Sequence, residues 1–215
     1  ASSNPSIGVL AHPGQVDVRI TAQAADAGRA EEMIGALEAK VRGRLGDSIF
    51  GTGEVRLEEV VAGMLTERGL TIAVAESNTG GAVIQRLCAS PERVRFLRRG
   101  VVALEVSELA RLFGVRDGSG GEGGAESAEA FARIVRREAG ADLGLAIVGP
   151  NPPPGIEPEE GKSPAVPGNT YIALDTGSGV LRYEGNFGGN EQFIQARVPV
   201  YALDLIRGAV RPRAP

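Results

Sequence analysis

Residues 16–21 alternate apolar and polar side chains in the manner of a half-buried strand. Ala27 to Leu45 repeats apolar residues at helical spacing through Ala30, Met33, Ile34, Leu37 and Val41. Ile49-Phe50 then opens another short strand, so the first part of the chain reads as a compact β-α-β unit. Gly51-Thr52-Gly53 breaks the pattern, and Leu57, Val60, Val61, Met64 and Leu65 mark a helix that closes at Gly69. A boundary near residue 53 follows, dividing the chain into units 1–53 and 54–215. In the larger unit, strands are predicted at 71–75, 100–104, 143–148, 169–174 and 180–186, with helices at 82–89, 108–113, 127–138 and about 191–210. Alternating strands and helices of this kind predict an α/β fold with a sheet covered on both faces. The glycine-rich stretch 117–124 and the proline-rich stretch 150–167 read as loops, being short and bounded by apolar elements.

The stretch Ile72-Ala-Val-Ala-Glu-Ser-Asn-Thr-Gly-Gly81 carries the most chemistry, because an apolar strand runs straight into a hydroxyl- and glycine-rich turn that opens a helix. Free N–H groups at such a helix start favour an anionic or phosphorylated ligand. Gly80 and Gly81 permit close backbone approach, and Ser77 and Thr79 offer hydroxyls as donors, acceptors or a nucleophile. The same residues equally describe an N-capped helix with a glycine turn. Glu76 reads two ways as well, as a base or ribose ligand, or as a brace for the loop.

Composition narrows the choices. The net charge is −4, with no basic run interleaved with aromatics, which argues against a nucleic-acid surface. Lys40 and Lys162 are the only lysines, so few positions can supply an amine as a base. The single histidine, His12, and the single cysteine, Cys88, exclude internal disulfides and a zinc site of several His and Cys ligands. Cys88 is expected in the core, and His12 on a surface turn before Pro13-Gly14. No apolar run approaches a membrane span and no leader precedes the first unit, so no membrane is expected and the chain reads as cytoplasmic. Because the chain starts at Ala1, an upstream domain is left open. Asp175-Thr176-Gly177-Ser178 spells the aspartic-protease tetrapeptide, but that chemistry needs two copies, and turn residues between two predicted strands point to a hairpin. Arg98 and Arg99 read as a solvated pair that stands within reach of a phosphate.

Ala75-Glu-Ser-Asn-Thr-Gly-Gly81 resembles the Ala-Glu-Ser-Cys-Thr-Gly-Gly hallmark of the C-terminal domain of the competence/damage-inducible protein CinA, the PncC-type nicotinamide mononucleotide deamidase family, with Asn78 in place of cysteine. Phe96-Leu97, Gly100-Val101-Val102-Ala103, Gly140-Ala141-Asp142-Leu143 and Gly168-Asn169-Thr170-Tyr171-Ile172-Ala173 follow in the family's order. Asn4-Pro5-Ser6, His12-Pro13-Gly14-Gln15-Val16 and Arg19-Ile20-Thr21-Ala22 resemble the small KH-like connecting domain of full-length CinA, in which a molybdopterin-binding-like domain comes first. The resemblance implies a three-layer α/β/α sandwich after a KH-like unit, and hydrolysis of the nicotinamide mononucleotide carboxamide to nicotinate mononucleotide and ammonia, without a cofactor. It also implies a homo-oligomer. An expected Gly-x-x-Gly nucleic-acid clamp is not evident in the KH-like unit.

An amidase without metal needs an activated hydroxyl, a base and oxyanion donors. Ser77 and Thr79 stand for the hydroxyl, with Glu76, Asn78, Gly80, Gly81, Gly149 and Gly155 as substrate-binding positions. The family's active-site tyrosine and lysine, however, fall on Leu104 and Leu109 by alignment without gaps. Its Thr-Gly-x-x-Gly-Pro-Gly-Gly loop becomes Val148-Gly-Pro-Asn-Pro-Pro-Pro-Gly155, where each proline removes a donor. Its Gly-Asp-Arg-Glu-x-Ile-Arg becomes Gly189-Asn-Glu-Gln-Phe-Ile-Gln195, without either arginine, and serines before the second strand become Arg93 and Val94. The expectation is a retained fold with a degenerate, non-catalytic site, in a protein that either binds a nucleotide or acts through protein contacts. The alternative is a working amidase that pairs Ser77 with Lys162, the one amine left in this unit.

Overall fold

The computed structural model describes residues 4–115, 124–151, 168–188 and 190–212. Contacts divide the chain into two compact units, Ala1–Glu54 and Val55–Pro215. Among the described residues no helix is long and apolar enough to cross a membrane.

In the first unit, β1 (Ser6–His12) and β2 (Gln15–Thr21) pair antiparallel around Pro13-Gly14, with His12 opposite Gln15. Gly14 has φ 82°, a left-handed value that glycine adopts without strain, so the chain reverses in two residues. Ile7 faces Ile20, Val9 faces Val18 and Ala11 faces Val16, so one side of the hairpin is apolar throughout. Helix α1 (Ala27–Leu45) is capped by Asp26, whose Oδ1 accepts from the Arg29 N–H at 2.8 Å. The order is strand, strand, helix, not the expected β-α-β. β1 escapes the alternation pattern because Leu10 breaks it, while Ile49-Phe50, caught between a 3-10 turn at Gly46–Ser48 and Gly51, is too short to pair and forms no strand.

The second unit has the expected three layers. Its sheet runs β4-β3-β5-β6-β7, built from β3 (Ile72–Glu76), β4 (Leu97–Val102), β5 (Leu143–Val148), β6 (Thr170–Asp175) and β7 (Val180–Gly185). β3 pairs parallel with β4 and β5, while β6 and β7 add antiparallel. Strands β3 and β5 are buried along their whole length, as central strands covered on both faces must be.

One layer holds α6 (Ala125–Ala139) and α5 (Val106–Leu112), which pack Leu109, Ala128, Phe131, Ala132 and Val135 on the small side chains Ala73, Ala75, Ala146 and Ala173. A Cβ on Gly144 would lie 2.1 Å from the Ala132 carbonyl oxygen, so glycine there sets how near α6 sits to β5. The other layer holds α2 (Leu57–Glu67), α3 (Ala82–Cys88) and α7 (Glu191–Val210), which contact one another, and α7 also touches β6 and β7. A short helix α4 (Arg93–Phe96) leads into β4, which begins at Leu97 rather than at residue 100. Cys88 is exposed rather than in the core, because Val83 and Leu87 take the buried face of α3. Asp175 to Val180 forms the expected hairpin turn, closed by the Thr176 N–H donating to Gly179 O at 2.9 Å.

Candidate functional site

β3 sits between β4 and β5, so successive connections leave it on opposite sides. The crevice beyond its carboxyl end is where open α/β sheets place their ligands. The loop 77–81 occupies that position. Ser77 continues the β3 ladder through its N–H to Ile147 O at 3.0 Å, and the chain then turns tightly, with the Gly80 N–H donating to Ser77 O at 2.9 Å. Gly80 and Gly81 have φ of 60° and 92°, which places the helix start directly after the strand.

Glu76 is fully buried, and its carboxylate is turned back into this loop. Oε2 accepts from Thr79 Oγ1 at 2.6 Å and from the Val83 N–H at 3.1 Å, and Oε1 accepts from the Ile84 N–H at 2.7 Å. Burial pushes the Glu76 carboxyl above its ordinary value, opposed by these bonds from Thr79, Ile84 and Val83 and by the Gly81 backbone. The N–H groups that sequence leaves open to a ligand are therefore satisfied by the protein's own carboxylate. Of the two readings of Glu76, the brace is the one the geometry displays.

Ser77, Asn78 and Thr79 are buried as well. Ser77 Oγ accepts from the Gly149 N–H at 3.2 Å, which joins the loop after β3 to the end of β5. Asn78 Nδ2 donates to Thr170 Oγ1 at 2.8 Å on β6, while Asn78 Oδ1 has no partner among the described residues. A Cβ on Gly149 would meet Asn78 Nδ2 at 2.5 Å and Thr170 Oγ1 at 2.9 Å, so glycine is required for the Asn78 amide to lie flat against β5. Thr170 is a member of this cluster that sequence reading did not single out, although it stands within the Gly168-to-Ala173 segment. Gln195 of α7 is another, its Nε2 lying 3.3 Å from where a Cβ on Gly80 would be and donating to Glu191 Oε1 at 2.8 Å.

The structure thus brings Glu76, Ser77, Asn78, Thr79, Gly80, Gly81 and Gly149 together. Lys162 and Gly155 lie outside the described residues. Leu109 is fully buried against α6 and β3, and Leu104 is exposed, its carbonyl accepting from Asn151 Nδ2. His12 belongs to the first unit, where its Nε2 lies 2.9 Å from Asp17 Oδ2. Arg99 pairs with Glu138 at 3.0 Å. A cavity of about 360 Å³ opens elsewhere in this unit, between Arg56, Glu59 and Gly63 of the α2 region and Ser90 and Pro91 after α3, and takes in none of the loop residues.

Residues 54–210 match the family described as CinA C-terminal domain, and residues 1–51 match the Damage-inducible protein CinA KH domain. A Desulforamulus reducens protein named for competence-damage induction is 39% identical over 207 residues, covering 95% of this chain and 49% of its own length. A CinA-like protein of Kosmotoga olearia is 34% identical over 212 residues, covering 97% of this chain and 50% of its own. The chain therefore spans about half the length of the curated relatives it matches. Among solved structures, a competence or damage-inducible protein from Enterobacter asburiae superposes with a TM-score of 0.62 at 25% identity, covering 72% of this chain and 96% of that one.

Proposed function

The chain belongs to the CinA family, and we propose that its second unit is a nicotinamide mononucleotide deamidase fold that has lost amide hydrolysis and keeps a nucleotide-binding role. The observation that carries this reading is the pair Leu104 and Leu109, which stand where the family's active-site tyrosine and lysine are expected and carry no titratable proton, Leu109 being fully buried in the core. The Glu76 carboxylate, which the family's hallmark shares, takes up the Val83 and Ile84 N–H groups, so oxyanion or phosphate donors would have to come from elsewhere in the loop.

The Ser77 hydroxyl is buried and accepts from the Gly149 N–H. Second-unit residues 55–215 contain no histidine and no lysine other than Lys162, so a conventional base for that hydroxyl is scarce. Loss of a catalytic base costs about a hundred- to ten-thousand-fold in rate. Of the loop, only Gly80 and Gly81 reach the surface, so a retained nucleotide meets their backbone and the neighbouring Gln195 amide.

The rival reading, an active amidase, rests on Ser77 standing beside Gly149, the start of the segment that carries Lys162. Ammonia release from nicotinamide mononucleotide by the purified chain, with thermal-shift binding of the same nucleotide in parallel, separates the two. The proposal expects a stabilising shift and no turnover above that of Ser77→Ala. Turnover abolished by Ser77→Ala overturns it, and absence of both signals removes the nucleotide role.

A further inference from the structure

Every backbone N–H from Gly80 to Ile84 is committed within the chain. Gly80 donates to Ser77 O and Ala82 to Thr79 O, while Val83 and Ile84 donate to the Glu76 carboxylate, which also draws on the Gly81 backbone. Among the described residues, the side chains that a Cβ on Gly80 or Gly81 would meet are Gln195 and Val102, at 3.3 and 3.2 Å. Gln195 is itself tied to a carboxylate, its Nε2 donating to Glu191 Oε1 at 2.8 Å one turn earlier on α7. Arg86 of α3 and Arg197 of α7 donate to the Ala196 and Phe187 carbonyls. The mouth of the loop is thus bordered by an amide, a carboxylate and an aliphatic side chain.

Resting on the proposed retention of a pyridine nucleotide at Gly80 and Gly81, we infer that this surface favours the ligand without its 5′-phosphate, selecting a cationic pyridinium nucleoside over the corresponding mononucleotide. A phosphate monoester carries about two negative charges at neutral pH and needs donors or guanidinium groups in place of the water it gives up. Here the loop donors are engaged and Glu191 presents a like charge, so the phosphate sheds hydration without gaining partners.

The nucleoside carries a positive ring and no anion. Its charge is attracted by the Glu191 carboxylate, and its ring gains apolar contact from Val102, which is exposed beside Gly81. Its ribose hydroxyls meet the Gln195 amide, whose oxygen and second N–H are additional to the bond with Glu191. Glu191 is exposed, so its share of the selection is moderate and weakens with salt. The mononucleotide still binds, held by the ring and ribose alone.

Calorimetric titration of the full chain with nicotinamide riboside and with nicotinamide mononucleotide tests this. The riboside is expected to bind about tenfold more tightly at low salt, a ratio that shrinks as salt is raised. Glu191→Gln, which keeps an acceptor for Gln195 and removes the charge, should narrow the ratio to about threefold. Glu191→Arg with Gln195→Arg supplies two guanidinium groups and should reverse the preference. Circular dichroism shows whether the double variant is folded, and Glu191→Gln keeps the test open if it is not. Equal affinities, tighter binding of the mononucleotide, or a ratio indifferent to both variants overturns this inference and leaves the nucleotide role standing. Binding of neither compound overturns both.

Discussion

Helices α3 and α7 begin in opposite ways. At α7 the cap is local and exposed to water, with Asn190 Oδ1 accepting from the Phe193 N–H at 3.1 Å. At α3 the N-cap residue is Gly81, which has no side chain, and the acceptor is a carboxylate from the preceding strand, reaching seven and eight residues ahead to Val83 and Ile84. The first arrangement stabilises a helix and nothing more. The second also takes up N–H groups that an external anion would otherwise need, and it holds a carboxylate away from water. A helix start can therefore be occupied by a carboxylate of the chain itself without any change in the framework around it.

Substitutions break or sharpen this contrast. Glu76→Ala has the largest expected effect, because it leaves the Thr79 hydroxyl and two N–H groups buried or half-buried without their acceptor. A loss on the order of 3 kcal/mol in urea unfolding is expected. Gly149→Ala comes next, at about 1–3 kcal/mol, since the new methyl would overlap the Asn78 amide and the Thr170 hydroxyl and loosen the bond to Ser77. Asn190→Ala, the matching change at α7, should cost only about 1 kcal/mol.

The smallest signals are pH slopes. Burial raises the folded-state pKa of Glu76 above its ordinary value of 4.5, so between the two values the folded chain binds more protons than the unfolded one. Its contribution to stability therefore falls as pH rises through that window, and Glu76→Gln should flatten the slope in unfolding measured as a function of pH. Asp142 runs the other way. Hydrogen bonds from the Thr71 hydroxyl and N–H hold it below its ordinary value of 3.8, so its contribution is present above that value and is lost as pH falls through the folded one. Asp142→Asn should remove that acid-side loss.

Much of the second unit was legible in sequence because its signals are local. Apolar periodicity located β5 and α7 at the bounds the structure has, and α6 within two residues. In the first unit, α1 was legible for the same reason, whereas β1 was hidden by Leu10 in its alternation and Ile49-Phe50 offered apolar character without a partner strand. The placement of Cys88 failed because one position at the end of a seven-residue helix decides between core and water. At the site, the residue types in 76–81 were evident, but their commitments were not. That Glu76 accepts from Ile84, that Asn78 binds Thr170 and that Ser77 binds Gly149 depend on segments 72 and 92 residues apart being brought together by strands one or two places away in the sheet, or on a carboxylate folding back over a turn. No spacing rule carries that information.

The most direct test of the closed site follows the amide resonances of Val83 and Ile84 in the full chain through an acid titration, and again on adding inorganic phosphate. Glu76 as the internal occupant predicts that both amides titrate together with a midpoint above 4.5 and that phosphate leaves them unmoved at neutral pH. Amides that ignore the titration, or that shift and saturate with phosphate, would contradict it and return the α3 start to an external anion.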